Sequence, residues 1–384
     1  MAKVSKRHYS KNMNFKDSKI AIVYDWIDSS GGIERIIPIL IKTFNNADIF
    51  TSYFDPKKAP WATKYDIKTS FIQNLPGFIK KSRILSLILY PYAFESFNFS
   101  EYDLVISVSS SFSKAVITKP QVRHICYMLT PTRYFWIDKK SYFKNPVIKK
   151  ISKIILPQLK KWDYVVSKRP DSIISISNLV KKRVKKIYKR TSLVLYPPFD
   201  LKYWNKIKKS INSNYSNHRS YFLLVSRLEH YKKVELAIEV FNKLKDRLII
   251  VGAGSQEKKL QRFANNNIEF KKYISDVELA NLYSQADALI MPQIEEFGMV
   301  SLEAQFFGCP VISYKNSGAA ETILDGKTGI FFDKQEAKSL EAAIVRYKPI
   351  SYNLKILTKE FGTKNLERFS KEKFIYNFKR IAYL

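Results

Sequence analysis

The stretch Met291-Pro292-Gln293-Ile294-Glu295-Glu296-Phe297-Gly298-Met299-Val300-Ser301-Leu302-Glu303-Ala304-Gln305 decides the fold, because it carries a strand end, a loop and a helix start in immediate succession. The apolar run Ala288–Met291 reads as a strand that runs out at Pro292, and a helix begins around Met299 with Glu303 in its second turn. In a doubly wound α/β domain, such a loop lies at the carboxyl edge of the sheet, where ligands bind. The helix start presents free backbone N–H groups and a partial positive charge, which suits a phosphate. Gly298, lacking a Cβ, lets the backbone turn sharply and approach a ligand closely. Glu295 and Glu303 are carboxylates that accept hydrogen bonds from paired hydroxyls, which suggests a sugar and a ribose. With 18 Glu in the chain, about one pair at any chosen separation arises by chance, so the strand-loop-helix context carries the argument and the bare spacing does not.

Working outward, the second half alternates strands and helices: strand Phe222–Ser226, helix Val234–Leu244, strand Leu248–Val251, helix Asp276–Gln285, then the stretch above and a strand at Val311–Ser313. In the first half, Ile20–Tyr24, Leu104–Val108, Ile125–Met128 and Ile173–Ser177 read as strands, and Ile33–Phe44 has helical spacing. Residues 201–220 are rich in Asn, Ser and Lys without periodicity and read as a linker. The expected architecture is therefore α/β, with two Rossmann-like doubly wound domains facing a central cleft, residues 1–200 and 221–384. The last helix is a candidate to pack back on the first domain.

Two further loops fall on the same kind of edge. Arg227, Lys232 and Lys233 follow the strand Phe222–Ser226, where cations are placed to neutralise a diphosphate, Arg as a fork and Lys as a point charge. In the first half, Asp25 to Gly32 follows Ile20–Tyr24, and Gly31-Gly32 ahead of a helix is a phosphate-approach geometry, although an ordinary turn has the same residues. No DxD pattern that would hold a metal-bound diphosphate occurs, and the four His lack metal-ligand spacing. No metal and no cofactor are expected.

The chain has 384 residues, 46% of them hydrophobic, so it can bury the cores of two domains. Its charge of +32 is uneven, because residues 1–218 hold 40 Lys+Arg against 14 Asp+Glu (net +26), leaving 26 against 20 (net +6) for 219–384. Between Lys139 and Arg190 there are 17 basic residues and only two acidic ones, Asp163 and Asp171. Nucleic-acid binding, docking on an anionic membrane and compositional drift are the three readings of that density. Cys126 and Cys309 are too few and too far apart for a disulfide framework, and neither a signal peptide nor a transmembrane run is visible, so a cytoplasmic protein is expected.

Taken together, the loop at Asp25-Trp26 and Gly31-Gly32-Ile33-Glu34-Arg35, Tyr102 to Ser107, Cys126 to Trp136, Tyr196-Pro197-Pro198, Ser226-Arg227-Leu228 with Lys232, Gly252-Ala253-Gly254, Glu295 to Glu303 and Gly318 to Thr322 resemble the family 4 glycosyltransferases of the GT-B fold. The resemblance is to bacterial mannosyltransferase-like enzymes of surface polysaccharide synthesis. It implies metal-independent transfer of a hexose, with GDP-mannose as best guess and a UDP-sugar as alternative, to a saccharide or lipid-linked acceptor with retention. It also implies that Glu295 contacts the donor sugar and Glu303 the ribose, while Arg227 and Lys232 hold the diphosphate as it leaves. Backbone N–H groups around Phe297, Gly298 and Met299 would assist, and Gly31 and Gly32 would face the donor. One position departs from the pattern: many relatives have His just before the Thr-Pro of the first half, where this chain has Leu129, which cannot exchange a proton, so either Arg133, as the acceptor-side candidate, or the backbone carries the remaining polar contact, or the donor pocket is altered.

By the same resemblance the +26 half is the acceptor half. The segment Leu75–Tyr90 mixes cations with an apolar stripe, as either an interfacial segment or a buried amphipathic helix would, and peripheral attachment to the inner face of the membrane is expected. A nucleic-acid-binding protein would show a reading element or interleaved stacking aromatics, and neither is visible. Carboxylates at the ligand edge would also repel phosphates, so no nucleic-acid partner is expected.

Overall fold

The computed structural model describes residues 18–29, 31, 32, 34–44, 47–143, 146–211 and 220–383. The basic N-terminal residues Lys3 to Lys16, positions 30 and 33 of the glycine loop, and 212–219 of the expected linker lie outside the described residues. The chain divides into two compact units, one made of the residues up to Pro197 together with Ile375–Leu384, the other of Pro198–Phe374.

Among the described residues the first unit holds seven strands: β1 Ile20–Tyr24, β2 Asp48–Thr51, β3 Ile67–Thr69, β4 Leu104–Ser109, β5 Arg123–Met128, β6 Ser172–Ser175 and β7 Leu193–Val194. Their order is β3-β2-β1-β4-β5-β6-β7, and every pairing is parallel. The central strands are buried along their whole length, which is why β1 appears in the sequence as an unbroken apolar run and β4 and β5 as mainly apolar ones. Strands β2, β3 and β7 do not stand out in the sequence because they are only two to four residues long and, in β2 and β3, partly polar. The C-terminal helix closes this unit: Phe378 packs its ring 5.7 Å from Phe44 and 5.9 Å from Tyr127, and the Arg123 guanidinium donates to the carbonyls of Ile381 and Ala382.

Among the described residues the second unit holds six parallel strands: β8 Phe222–Val225, β9 Leu248–Val251, β10 Ile268–Lys271, β11 Leu289–Met291, β12 Val311–Tyr314 and β13 Gly329–Phe332, in the order β10-β9-β8-β11-β12-β13. Helix Val234–Leu244 presents Ala237, Ile238, Val240 and Phe241 to the core. The stretch expected to lack periodic structure opens instead with helix Leu201–Lys209, whose first turn is capped by Asp200 accepting from the Tyr203 N–H at 3.0 Å. Its single buried residue is Trp204, so its polar composition reflects a mostly exposed surface.

Both sheets reverse direction of growth next to their first strand, between β1 and β4 in one unit and between β8 and β11 in the other. A crevice opens at the carboxyl ends of the strands at such a switch point.

Candidate functional site

In the second unit the switch point is flanked by the loop after β8, which carries Arg227 and Lys232, and by the loop after β11, which carries Glu295 to Gly298. The structure brings Lys232 and Glu295 together: Lys232 Nζ donates to Glu295 Oε1 at 2.5 Å, the two side chains being 11% and 17% exposed. Lys232 closes a one-turn helix, His230–Lys232, and Lys233 adopts a left-handed conformation (φ 53°) that turns the chain into helix Val234–Leu244. Arg227 sits on the same loop and is exposed. Its backbone neighbours are anchored by Leu228 N–H donating to the Ala253 carbonyl at 2.9 Å, which ties this loop to the one after β9.

The Glu295 loop is held from its other side. Glu295 N–H donates to Ser317 Oγ at 2.9 Å, and Gly318 N–H donates to the Glu295 carbonyl at 2.8 Å. A Cβ at Gly318 would lie 2.2 Å from the Glu296 carbonyl, so the close approach of the two loops requires glycine there. Gly298 precedes helix Met299–Phe306 with φ 99°, a left-handed conformation, and a Cβ there would meet Ala319 at 2.7 Å. The first N–H groups of this helix have no intrahelical acceptor. Phe297 is buried against the ring of Phe369 at 5.4 Å, so its side chain anchors the loop.

Glu303 lies in the second turn of that helix, 7% exposed, and accepts a hydrogen bond from the Tyr283 hydroxyl at 3.1 Å. Sequence reasoning missed Gln293, which is buried and donates from Nε2 to the same Glu295 oxygen that Lys232 reaches, at 2.8 Å. The signal that could have found it is its spacing: residues two apart in extended chain point to the same face.

In the first unit, Gly31 and Gly32 lie beyond β1 and Arg133 beyond β5, on the same edge of the parallel sheet. The helix after the glycines begins at Ile36, not at Ile33, so Gly31 and Gly32 stand in a turn ahead of it. Ser29 Oγ and the Tyr24 hydroxyl both donate to Glu34 there, at 2.9 and 3.2 Å. Arg133 opens a short helix, Arg133–Trp136, and is half-buried. Leu129 is buried, with its N–H donating to the Ser109 carbonyl at 2.8 Å. The Thr132 to Trp136 segment is pinned by a buried network in which Asp163 accepts from Lys114 Nζ (2.7 Å), Thr132 Oγ1 (2.7 Å), Trp136 Nε1 (2.7 Å) and the Tyr188 hydroxyl (2.8 Å). Asp163, one of the two acidic residues in the most basic stretch, is thus consumed by folding.

Residues 206–348 match the family described as Glycosyl transferases group 1. The chain carries a group 1 glycosyltransferase domain. That domain contains Arg227, Lys232, Glu295 and Glu303, whereas Gly31, Gly32 and Arg133 lie outside it. Along most of its length the chain is similar to an alpha-1,3/1,6-mannosyltransferase, ALG2, of Dictyostelium discoideum, with 24% identity over 82% of this chain and 86% of that one. A shorter region, 33% of this chain and 38% of the relative, is 32% identical to a GDP-mannose-dependent phosphatidylinositol monomannoside mannosyltransferase of Mycolicibacterium smegmatis. Among solved structures, Anabaena HepE in complex with UDP superposes with a TM-score of 0.69 at 15% identity, covering 95% of this chain and all of that one. A sucrose-phosphate synthase of Thermosynechococcus elongatus gives 0.68 at 16%, covering 95% and 98%. These likenesses establish the GT-B fold expected from the sequence. Among the described residues, no helix is long and apolar enough to cross a membrane, and no three His, Cys, Asp or Glu cluster as metal ligands do.

Proposed function

We propose that this glycosyltransferase moves a hexose, with mannose from GDP-mannose as the leading donor, to a saccharide or lipid-linked acceptor in cell-surface polysaccharide synthesis, with retention and without a metal. The observation that carries the reading is the Lys232–Glu295 pair at the switch point of the second unit. An ammonium has three N–H donors, so Lys232 can hold Glu295 with one and offer the others to a diphosphate. Together with Arg227 it would stabilise the charge that develops on the leaving nucleoside diphosphate, which is electrostatic catalysis by fixed cations. Glu295 would accept from donor-sugar hydroxyls and Glu303 from the ribose, with the start of helix Met299–Phe306 facing the phosphates. Arg133, Gly31 and Gly32 would serve the acceptor and donor from the first unit.

Mannose is favoured because both the Dictyostelium and the Mycolicibacterium relatives are mannosyltransferases. A UDP-sugar is the second reading, favoured by the UDP held in HepE. Thermal unfolding of the full chain with GDP-mannose, UDP-glucose and a dTDP-sugar, each with EDTA present, tests both, because a ligand that binds the native state raises the melting temperature. A shift with GDP-mannose alone is expected; no shift with any of them overturns the reading.

Peripheral membrane attachment through the first unit belongs to the same proposal. Phe78, Leu85, Ile88 and Tyr92 are exposed while Leu87, Tyr90 and Phe94 face the core, so the segment is apolar on two sides. Helix Asn178–Tyr188 exposes Lys181, Lys182, Lys185 and Lys186. Apolar side chains with cations nearby suit an anionic bilayer surface. Flotation with vesicles containing phosphatidylglycerol at low salt is expected to carry the protein; equal flotation with purely zwitterionic vesicles would remove the electrostatic part.

A further inference from the structure

Gln293 is not among the residues to which the sequence or the family resemblance gives a role, yet its geometry is unusual. It is 1% exposed, directly after Pro292 at the end of β11. Its Nε2 donates to Glu295 Oε1 at 2.8 Å, on the oxygen that also receives Lys232 at 2.5 Å. Its own Oε1 is buried and has no hydrogen-bond partner among the described residues. The opposite amide orientation would set Oε1 against the Glu295 oxygen, two acceptors facing each other, so the carboxylate dictates which way the amide points. A buried carbonyl without a donor destabilises the fold, and a simple core position would be filled by an apolar side chain of similar shape. A side chain kept in a destabilising arrangement beside the ligand edge is the pattern of a site where function outweighs stability.

We infer that Gln293 is a positioning residue: with Lys232 it clamps one oxygen of the Glu295 carboxylate and so sets the direction in which the carboxylate meets the donor sugar. Gln293 acts through Glu295 and need not touch the sugar itself. The inference rests on the transferase reading above, and it makes a claim that a purely structural role does not: stability and turnover move in opposite directions. Replacing Gln293 by Met removes both the clamp and the orphan carbonyl while keeping a flexible side chain of similar length.

The test uses the full chain and the variants Gln293→Met and Gln293→Asn, the second keeping an amide that is one methylene too short to reach. Turnover is read as release of GDP from GDP-mannose and of UDP from UDP-glucose, and affinity for bare GDP and UDP is measured alongside. For Gln293→Met the melting temperature is expected to equal or exceed that of the wild type. Its kcat/KM is expected to fall about tenfold, the scale of one lost charge-assisted hydrogen bond, with affinity for the bare diphosphate within about twofold. Gln293→Asn is expected to lose turnover similarly. Wild-type turnover in both variants overturns the inference, and so does a Gln293→Met variant that loses stability or fails to fold, which would make Gln293 a packing residue. If the wild-type chain binds neither nucleotide sugar, the transferase reading fails first and takes this inference with it.

Discussion

The two switch points occupy the same place in two sheets whose first six strands share one order, and they use charge in opposite ways. Between β1 and β4, Asp25 is fully buried and accepts from the N–H groups of Ser110 (2.6 Å), Ser111 (2.9 Å), Phe112 (2.7 Å) and Ser113 (2.7 Å) and from Ser110 Oγ (2.8 Å). The carboxylate has become part of the backbone architecture, locking the loop after β4 to the strand edge. Between β8 and β11, Lys232 and Glu295 bridge the equivalent loops with side chains that are still partly exposed. A charge that is saturated with internal donors serves folding, and a charge pair left at the rim of the crevice is available to a ligand. The buried Lys114–Asp163 pair, both side chains fully enclosed, belongs with Asp25 in the first class.

The contrast can be broken first by stability. Replacing Asp25 by Ala strands several backbone donors in the interior and is expected to destabilise the protein by about 3–5 kcal/mol, since each buried donor left unsatisfied costs about 1–3 kcal/mol. Urea unfolding checks this. A loss below about 1 kcal/mol would place Asp25 with the ligand-handling groups instead.

Next in size, Glu295→Ala and Lys232→Ala are expected to lower turnover of the nucleotide sugar by roughly 100- to 1,000-fold, as removal of a preorganised electrostatic group does. The folded state should survive in both, since neither side chain is fully enclosed. Wild-type kinetics in either variant would detach the pair from catalysis. A smaller effect is expected for Glu303→Ala, about tenfold weaker binding of the bare nucleoside diphosphate by calorimetry, equivalent to about 1.4 kcal/mol. Unchanged affinity would leave Glu303 as a helix-core carboxylate held by Tyr283.

The last expectation compares the two units through their thiols. Burial pushes the Cys126 thiol up to about 11 and the Cys309 thiol up to about 12. Both are therefore protonated and shielded at pH 8, and a disulfide reagent should modify neither in the native protein but both after unfolding. Since one thiol lies in each unit, partial denaturant with mass mapping of the modified peptide shows which unit opens first. Rapid native labelling of either thiol would contradict its buried position.

The buried parallel strands were legible because a strand enclosed on both faces is mostly apolar: β1, β8 and β9 are apolar at every position, and β4 is interrupted only by Ser107 and Ser109. The short or partly exposed strands β2, β3, β7, β10 and β13 carry no such mark, and helix Leu201–Lys209 was hidden by its exposed composition. Glu295 and Lys232 could be nominated from the chain because loops that follow parallel strands share one edge of the sheet. Their meeting could not, since the two positions are 63 residues apart and adjoin only because β8 and β11 are neighbours.

Residue order alone therefore determined the α/β class, the sheet edge on which the loops gather and the chemical types carried there, since these follow from local periodicity and from the rule that parallel strands end together. Tertiary structure decided which charges are used up and which remain available. Asp25 and Glu295 are both carboxylates just beyond a buried strand, and nothing local distinguishes them. The difference lies in what surrounds them: the loop after β4 gives Asp25 four backbone N–H groups, whereas Glu295 meets a lysine from the loop after β8 and a glutamine from its own loop.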